Sequence, residues 1–149
     1  MCGTHAAVRG ILRELITHGD GITFADMEAG IEHLSRATIS DVDLLLVVVE
    51  PYYKSIYTGQ KVVELGRELG LARIVGVANK VRNDDDRRAI LGACERWGIE
   101  VIGEVPFDEA LRLAEQNHQA PMDAAAESEA VQAIHALADK ILGFNAVAA

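Results

Sequence analysis

Short apolar runs alternate along the chain with segments in which apolar residues recur every three or four positions. The longest run, within residues 43–50, is an unbroken series of Leu and Val. Such a series predicts a strand that is covered on both faces. Similar apolar runs occupy residues 22–25, 73–78 and 99–105. The pattern therefore predicts four strands.

Five segments have helical spacing, and they are residues 5–17, 54–69, 84–97, 108–116 and 127–144. Ser55 is the expected N-cap of the second segment, and Gly70 is expected to end it. Because the helices alternate with buried strands, the strands are expected to run parallel. The predicted fold is a three-layer α/β domain, in which residues 1–149 form a single parallel sheet flanked by helices.

The ends of the strands are the places to search for chemistry, because ligands of open parallel sheets bind beyond the carboxyl ends of the strands. The first predicted strand ends at Asp26, which opens an Asp-x-x-x-Gly motif that closes at Gly30. This is the form of a Walker-B strand, whose carboxylate holds Mg²⁺ while the glycine lets a backbone N–H approach a γ-phosphate. The alternative interpretation is that Asp26 ends a strand and Gly30 makes a turn.

Two later strand ends carry candidate base-binding residues. Asn79 offers both a hydrogen-bond donor and an acceptor to an adenine edge, and the stem of Lys80 can cover the base. Pro106 and Phe107 follow the next predicted strand and are expected to flank the same base. The alternative is that Asn79 and Lys80 simply open a loop.

Composition narrows the class of protein. With 14 Lys and Arg scattered among 23 acids and a net charge of −9, the chain lacks the basic face that nucleic acids require. No apolar run approaches the ~20 residues of a membrane span. Cys2 and Cys94 stand far apart in unlike contexts, which favours a reducing compartment over a disulfide framework. The sequence predicts a cytoplasmic protein that binds neither nucleic acid nor membranes.

Taken in order, these motifs resemble the MinD/ParA family of P-loop ATPases. The stretch Asp-Met-Glu-Ala-Gly-Ile-Glu-His-Leu at residues 26–34 is similar, more specifically, to the CooC-type maturation factors of nickel-containing carbon monoxide dehydrogenase. The resemblance extends over almost the whole chain and implies the C-terminal half of such an ATPase. A partial P-loop NTPase fold without the P-loop strand is therefore expected.

The resemblance implies a role for each motif. Asp26 and Gly30 would serve catalysis, residues 28–33 would belong to switch II, and Asn79 with Lys80 would read the adenine of ATP or ADP bound with Mg²⁺. The family couples ATP binding to closure of a homodimer, and closure to nickel handling. A carbon monoxide dehydrogenase or another nickel enzyme is the implied client.

Cys2 and His5 are the candidate metal ligands. They have the Cys-x-x-His spacing of a half-site that two chains can complete at a two-fold axis. The family has a Cys-x-Cys pair before a helix, and here only Cys2 is present, because the chain begins at Met1 where the first cysteine is expected one residue earlier. The alternative is a frayed N-terminus with incidental ligands.

One departure from the family concerns the reaction itself. The 149 residues contain no Gly-rich loop with Lys and Ser or Thr, so they provide neither a backbone cradle nor a lysine for phosphates. ATP hydrolysis by this chain alone is not expected, and a truncated reading frame would account for the departure. The alternative function is a non-enzymatic α/β dimerisation or scaffold module that has lost nucleotide chemistry.

Overall fold

The computed structural model describes residues 21–26 and 42–145. Three strands are present in these ranges: β1 (Leu45–Val49), β2 (Ile74–Val81) and β3 (Glu100–Pro106). The helices are α1 (Tyr53–Glu68), α2 (Asp84–Trp97), α3 (Glu109–Gln116), α4 (Pro121–Ala124) and α5 (Glu129–Asn145). No helix within the described ranges is long and apolar enough to cross a membrane.

The three strands form a parallel sheet in the order β1-β2-β3. Leu45 of β1 pairs with Ile74 of β2, and Val75 of β2 pairs with Glu100 of β3. Because each connection between neighbouring strands contains a helix, all three carboxyl ends lie at the same edge of the sheet. This edge carries the residues that the sequence marked at the ends of the strands.

Hydrophobic side chains are buried on both faces of the sheet. On one face, α1 and α2 pack against the strands through Val63, Ile90 and Trp97. On the other face, α5 packs through Ala130, Leu137 and Ile141 against Val75, Val77 and Ile102. The predicted three-layer α/β fold with a parallel sheet is therefore confirmed.

Local sequence explains where α2 begins and ends. The Asn83 side chain accepts a hydrogen bond from the Asp86 N–H at 2.9 Å, which satisfies one of the unpaired donors of the first turn. Three aspartates in that turn complement the helix dipole. Gly98 then ends the helix in the left-handed conformation, with φ of 64°.

Three details of the sequence prediction are wrong. Residues 22–25 form no strand, since they pair with none of the three described strands, and Ile22 and Phe24 are exposed. Ser55 is not an N-cap, because α1 begins after Tyr52 and the Ser55 hydroxyl instead accepts the Glu50 N–H at 2.9 Å. Among the described residues, β1 is not fully covered on both faces, since the Val48 side chain is 56% exposed.

Candidate functional site

The carboxyl ends of β1 and β2 are joined by an ion pair. Lys80 Nζ lies 2.7 Å from Glu50 Oε1, with both side chains partly exposed. Lys80 has a φ of 56°, which is the left-handed region that few residues other than glycine adopt. This conformation coincides with an irregularity in the pairing of β2 with β3.

One extra residue is inserted near the end of β2. Asn79 pairs with Val105 of β3, but the next pair is Val81 with Pro106, so Lys80 has no partner in the register. A bulge of this kind re-aims side chains that would otherwise alternate. Val81 accordingly joins Ala78 in the core on the α1 and α2 side, while the Lys80 side chain is turned towards Glu50.

A cavity of about 490 Å³ opens at the ends of β2 and β3. This volume is within the range of about 300–1,000 Å³ that small-molecule sites occupy. The lining residues combine apolar and polar side chains, and they are Tyr52, Asn79, Lys80, Arg82, Val105, Pro106, Phe107, Asp108, Leu111, Arg112, Glu115, Pro121 and Ile134. The cavity can therefore hold a small molecule that has apolar surface and also needs hydrogen bonds.

Phe107 is fixed in the wall of the cavity by its own backbone. Its N–H donates to the Val81 carbonyl oxygen at 2.9 Å, which extends the pairing of β2 and β3 by one bond. The Arg82 guanidinium lies over the Phe107 ring, with its central carbon 4.3 Å from the ring centroid. Arg82 Nη1 donates to the Tyr52 hydroxyl at 3.1 Å. Tyr52 follows β1, Arg82 follows β2 and Phe107 follows β3, so side chains from the ends of all three strands are in contact at the cavity.

An ion pair ties α2 to β3 beside the cavity wall. Arg87 donates through Nε and Nη2 to both carboxylate oxygens of Glu104, at 2.7 and 2.6 Å. These bonds hold the pKa of the Glu104 carboxyl below its usual value. The two-pronged geometry fixes the start of α2, and hence the segment that carries Arg82, relative to the end of β3.

Comparisons with known proteins give the same fold and point to nucleotide-binding relatives. The chain is 41% identical over 115 residues to an uncharacterized ATP-binding protein of Methanocaldococcus jannaschii. The aligned region covers 77% of this chain and 45% of that relative. It is 40% identical over 116 residues to the carbon monoxide dehydrogenase accessory protein CooC of Rhodospirillum rubrum, covering 78% of this chain and 43% of CooC. No protein-family model matches the chain.

Solved structures of MinD share this architecture. The MinD cell division protein of Aquifex aeolicus matches with a TM-score of 0.77 at 22% identity, over 93% of this chain and 60% of MinD. The MinD cell division ATPase of Pyrococcus furiosus matches with a TM-score of 0.68 at 20% identity, over 92% of this chain and 57% of that one. The MinD structures show the shared fold, and the sequence similarity to CooC and the ATP-binding protein of M. jannaschii shows that, over the shared region, the chain belongs to the MinD/ParA family. It spans less than half the length of the curated relatives named above.

The structure brings together four of the residues that the family resemblance marked. Asn79, Lys80, Pro106 and Phe107 all line the cavity. Asp26 is an exposed residue outside regular secondary structure and does not line this cavity. The other marked residues, Gly30, Cys2 and His5, lie outside the described residues.

Sequence reasoning missed two of the side chains that shape the cavity of this MinD/ParA-type chain. Arg82 was given no role, and Tyr52 was considered only for packing or a partner surface. Both follow a strand-end motif closely: Tyr52 comes directly after Pro51, and Arg82 comes two positions after Lys80. Their positions beside the strand ends could therefore have marked them as candidate site residues. The contact between them could not have been predicted, because they lie 30 positions apart in the sequence.

Asp108 holds the far wall of the cavity in place. Its carboxylate accepts the Ala110 N–H at 2.8 Å, which caps α3, and the Ala130 N–H at 3.4 Å, at the start of α5. The Ala110 bond is the main reason why the pKa of the Asp108 carboxyl lies below its usual value. One side chain thus positions two helices that contribute residues to the site.

Replacing this cap should destabilise the protein in a pH-dependent way. Asp108→Ala is expected to lower the free energy of unfolding by about 0.5–2 kcal/mol at pH 7, the usual cost of a lost N-cap. Because the folded-state pKa is depressed, the ionic part of this contribution is complete above the unfolded pKa of about 3.9 and is lost as pH falls through the folded value. Urea unfolding at pH 7 and at successively lower pH measures both effects.

The exposed Asp123 provides the matched control for this prediction, since Asp123→Ala removes a carboxylate without removing a capping bond of α3. A difference between the Asp108→Ala and wild-type proteins that stayed constant from pH 7 to below the unfolded pKa would contradict the assigned role of the charge.

Proposed function

We propose that the cavity at the ends of β2 and β3 binds the adenine of ATP or ADP. The observation that carries this proposal is the convergence of Asn79, Lys80, Pro106 and Phe107 on one cavity. The Asn79 amide supplies a donor and an acceptor for the base edge, the stem of Lys80 and the Pro106 ring flank the base, and Phe107 forms the wall behind it. Similarity to proteins described as ATP-binding supports the same class of ligand.

The phosphates and Mg²⁺ need groups beyond this cavity. Asp26 is proposed as the magnesium-binding carboxylate, directly or through water, and Gly30 as the backbone position that approaches the γ-phosphate. The sequence contains no Gly-rich loop with Lys to balance phosphate charge. The chain alone is therefore expected to bind adenine nucleotides weakly and to release no phosphate from Mg-ATP, which a phosphate-release assay checks.

For the whole protein, we infer a role in nickel insertion that depends on ATP-driven dimerisation. This proposal rests on the similarity to CooC, an accessory protein of carbon monoxide dehydrogenase. Cys2 and His5 would provide half of a metal site, and a second copy would provide the other half. Titration with Ni(II) tests this role, and binding that survived both Cys2→Ser and His5→Ala would rule out these ligands.

The adenine proposal is tested by titrating the ¹⁵N-labelled chain with adenosine, which has no phosphates. A dissociation constant of about 1 mM is expected, equivalent to about −4 kcal/mol. Asn79→Ala should weaken binding about tenfold, since it removes two hydrogen bonds to the base. Chemical-shift changes should centre on the backbone amides of Asn79, Lys80 and Phe107.

Asn117→Ala is the matched control, because Asn117 is an exposed asparagine at the end of α3 that does not line the cavity. It should leave adenosine affinity unchanged. Shift changes centred on another surface, or equal affinities of the Asn79→Ala and wild-type chains, would refute the assignment of the base to this cavity.

A further inference from the structure

The side chain of Arg82 is held at the wall of the cavity by contacts with Phe107 and Tyr52. Its guanidinium lies 4.3 Å from the centroid of the Phe107 ring and donates to the Tyr52 hydroxyl at 3.1 Å. Its backbone N–H donates to Asp86 Oδ2 at 3.0 Å, so the main chain at this position is restrained as well. Both ends of a long and usually flexible side chain are therefore restrained before any ligand arrives.

The chemistry of these partners leaves one surface of the guanidinium available. The Phe107 ring lies on one side of the planar group, and the Tyr52 hydroxyl accepts from Nη1, one of its N–H donors. Arg82 is an exposed residue that also lines the cavity. The face turned away from Phe107 is thus a flat, cationic surface at the place where the base is proposed to bind.

We propose that Arg82 is a stacking residue of the nucleotide site, with the base lying on the guanidinium face opposite Phe107. This inference rests on the proposed binding of adenine. Bases stack on guanidinium planes much as they stack on aromatic rings. A base that stacked on the ring face covered by Arg82 would first have to displace the guanidinium and break the cation–π contact, and the hydrogen bond to Tyr52 opposes that movement. Stacking on the outer face keeps both, so the layered arrangement is favoured.

The arrangement assigns a distinct role to each of the three side chains. Phe107 supports the guanidinium from behind, Tyr52 fixes its rotation, and Arg82 itself contacts the base. Asn79 reads the edge of the same base, so the stacking and the hydrogen bonding come from different strand ends. Arg82 would therefore add affinity for any flat base, while Asn79 would add affinity only for a base whose edge matches its amide.

Adenosine titration of three variants tests the proposal. Arg82→Ala removes the platform and should weaken adenosine binding about tenfold, which corresponds to about 1.4 kcal/mol. Arg82→Lys keeps the charge but loses the plane, so it should weaken binding nearly as much. Tyr52→Phe removes only the hydroxyl that orients the guanidinium and should weaken binding by about twofold to threefold.

Arg88→Ala is the matched control, since the Arg88 side chain is 71% exposed on α2 and does not line the cavity. It should leave adenosine affinity unchanged. Tighter binding to Arg82→Ala would mean that the base displaces the guanidinium, and wild-type affinity in Arg82→Lys would mean that only charge matters. Either result overturns the stacking role while leaving the adenine site intact. Absence of any adenosine-dependent shift in the wild-type chain overturns both proposals.

Discussion

Ile90→Ala is expected to lower the free energy of unfolding by about 2–5 kcal/mol. Ile90 is 0% exposed and belongs to the core cluster that contains Val49, Ala78 and Val81, beneath the ends of β1 and β2. The substitution removes buried methyl and methylene groups, and the sheet above cannot collapse into the resulting cavity without moving the strand ends. Urea unfolding followed by circular dichroism measures the loss.

The neighbouring residue Leu91 provides a sharp comparison for Ile90. It lies on the same helix, but its side chain is 41% exposed. Leu91→Ala is expected to change stability by no more than about 0.5 kcal/mol, as is usual for surface substitutions. Similar losses in the two variants would contradict the orientation of α2 against the sheet.

The second large effect is expected at Gly59, where α1 packs closely against the end of α2. A Cβ atom at this position would lie 2.9 Å from the Trp97 ring and 3.4 Å from a methyl group of Val49. Gly59→Leu is therefore expected to lower the free energy of unfolding by about 1–3 kcal/mol, because the added atoms force apart a filled core. The shift of the urea midpoint measures this cost.

Gly92→Leu tests the same substitution where space is available. A Cβ atom at Gly92 meets only the end of the Arg96 side chain, at 3.6 Å. Because leucine has a higher helix propensity than glycine, the free energy of unfolding of this variant should be higher by about 0.5–1 kcal/mol. Opposite signs at the two glycines are expected, and a loss of equal size at both would show that the contact with Trp97 is not decisive.

Apart from the four-residue helix α4, which the pattern did not predict, the order of strands and helices between Leu45 and Asn145 could be predicted from local pattern. The Leu and Val run of β1, the helical spacing of residues 84–97 in α2, and that of residues 127–144 in α5 are all readable over a few neighbouring residues. Residues 22–25 show the limit of such prediction. Their composition favours a strand, but a strand exists only where another strand satisfies its backbone, and none of the three described strands does so.

Part of the candidate site could also be predicted from the sequence, namely the residues that lie at the ends of strands. Residues at the ends of parallel strands meet at one edge of the sheet, so Asn79 and Pro106 could be placed together without coordinates. The bulge at Lys80 could not, since a shift of one residue in register leaves no mark in composition. Nor could the double role of Asp108, which joins the starts of α3 and α5 across 22 positions of sequence.

The sequence by itself determined the α/β class, every element from β1 to α5 except the short helix α4, and which strand ends carry polar side chains. These properties depend on periodicity and on residues that are close in the chain. Only the tertiary structure decided that Lys80 pairs with Glu50 and that Arg82 contacts both Tyr52 and Phe107. Such contacts depend on strand register and on the relative positions of distant elements, which the packing of the whole core sets.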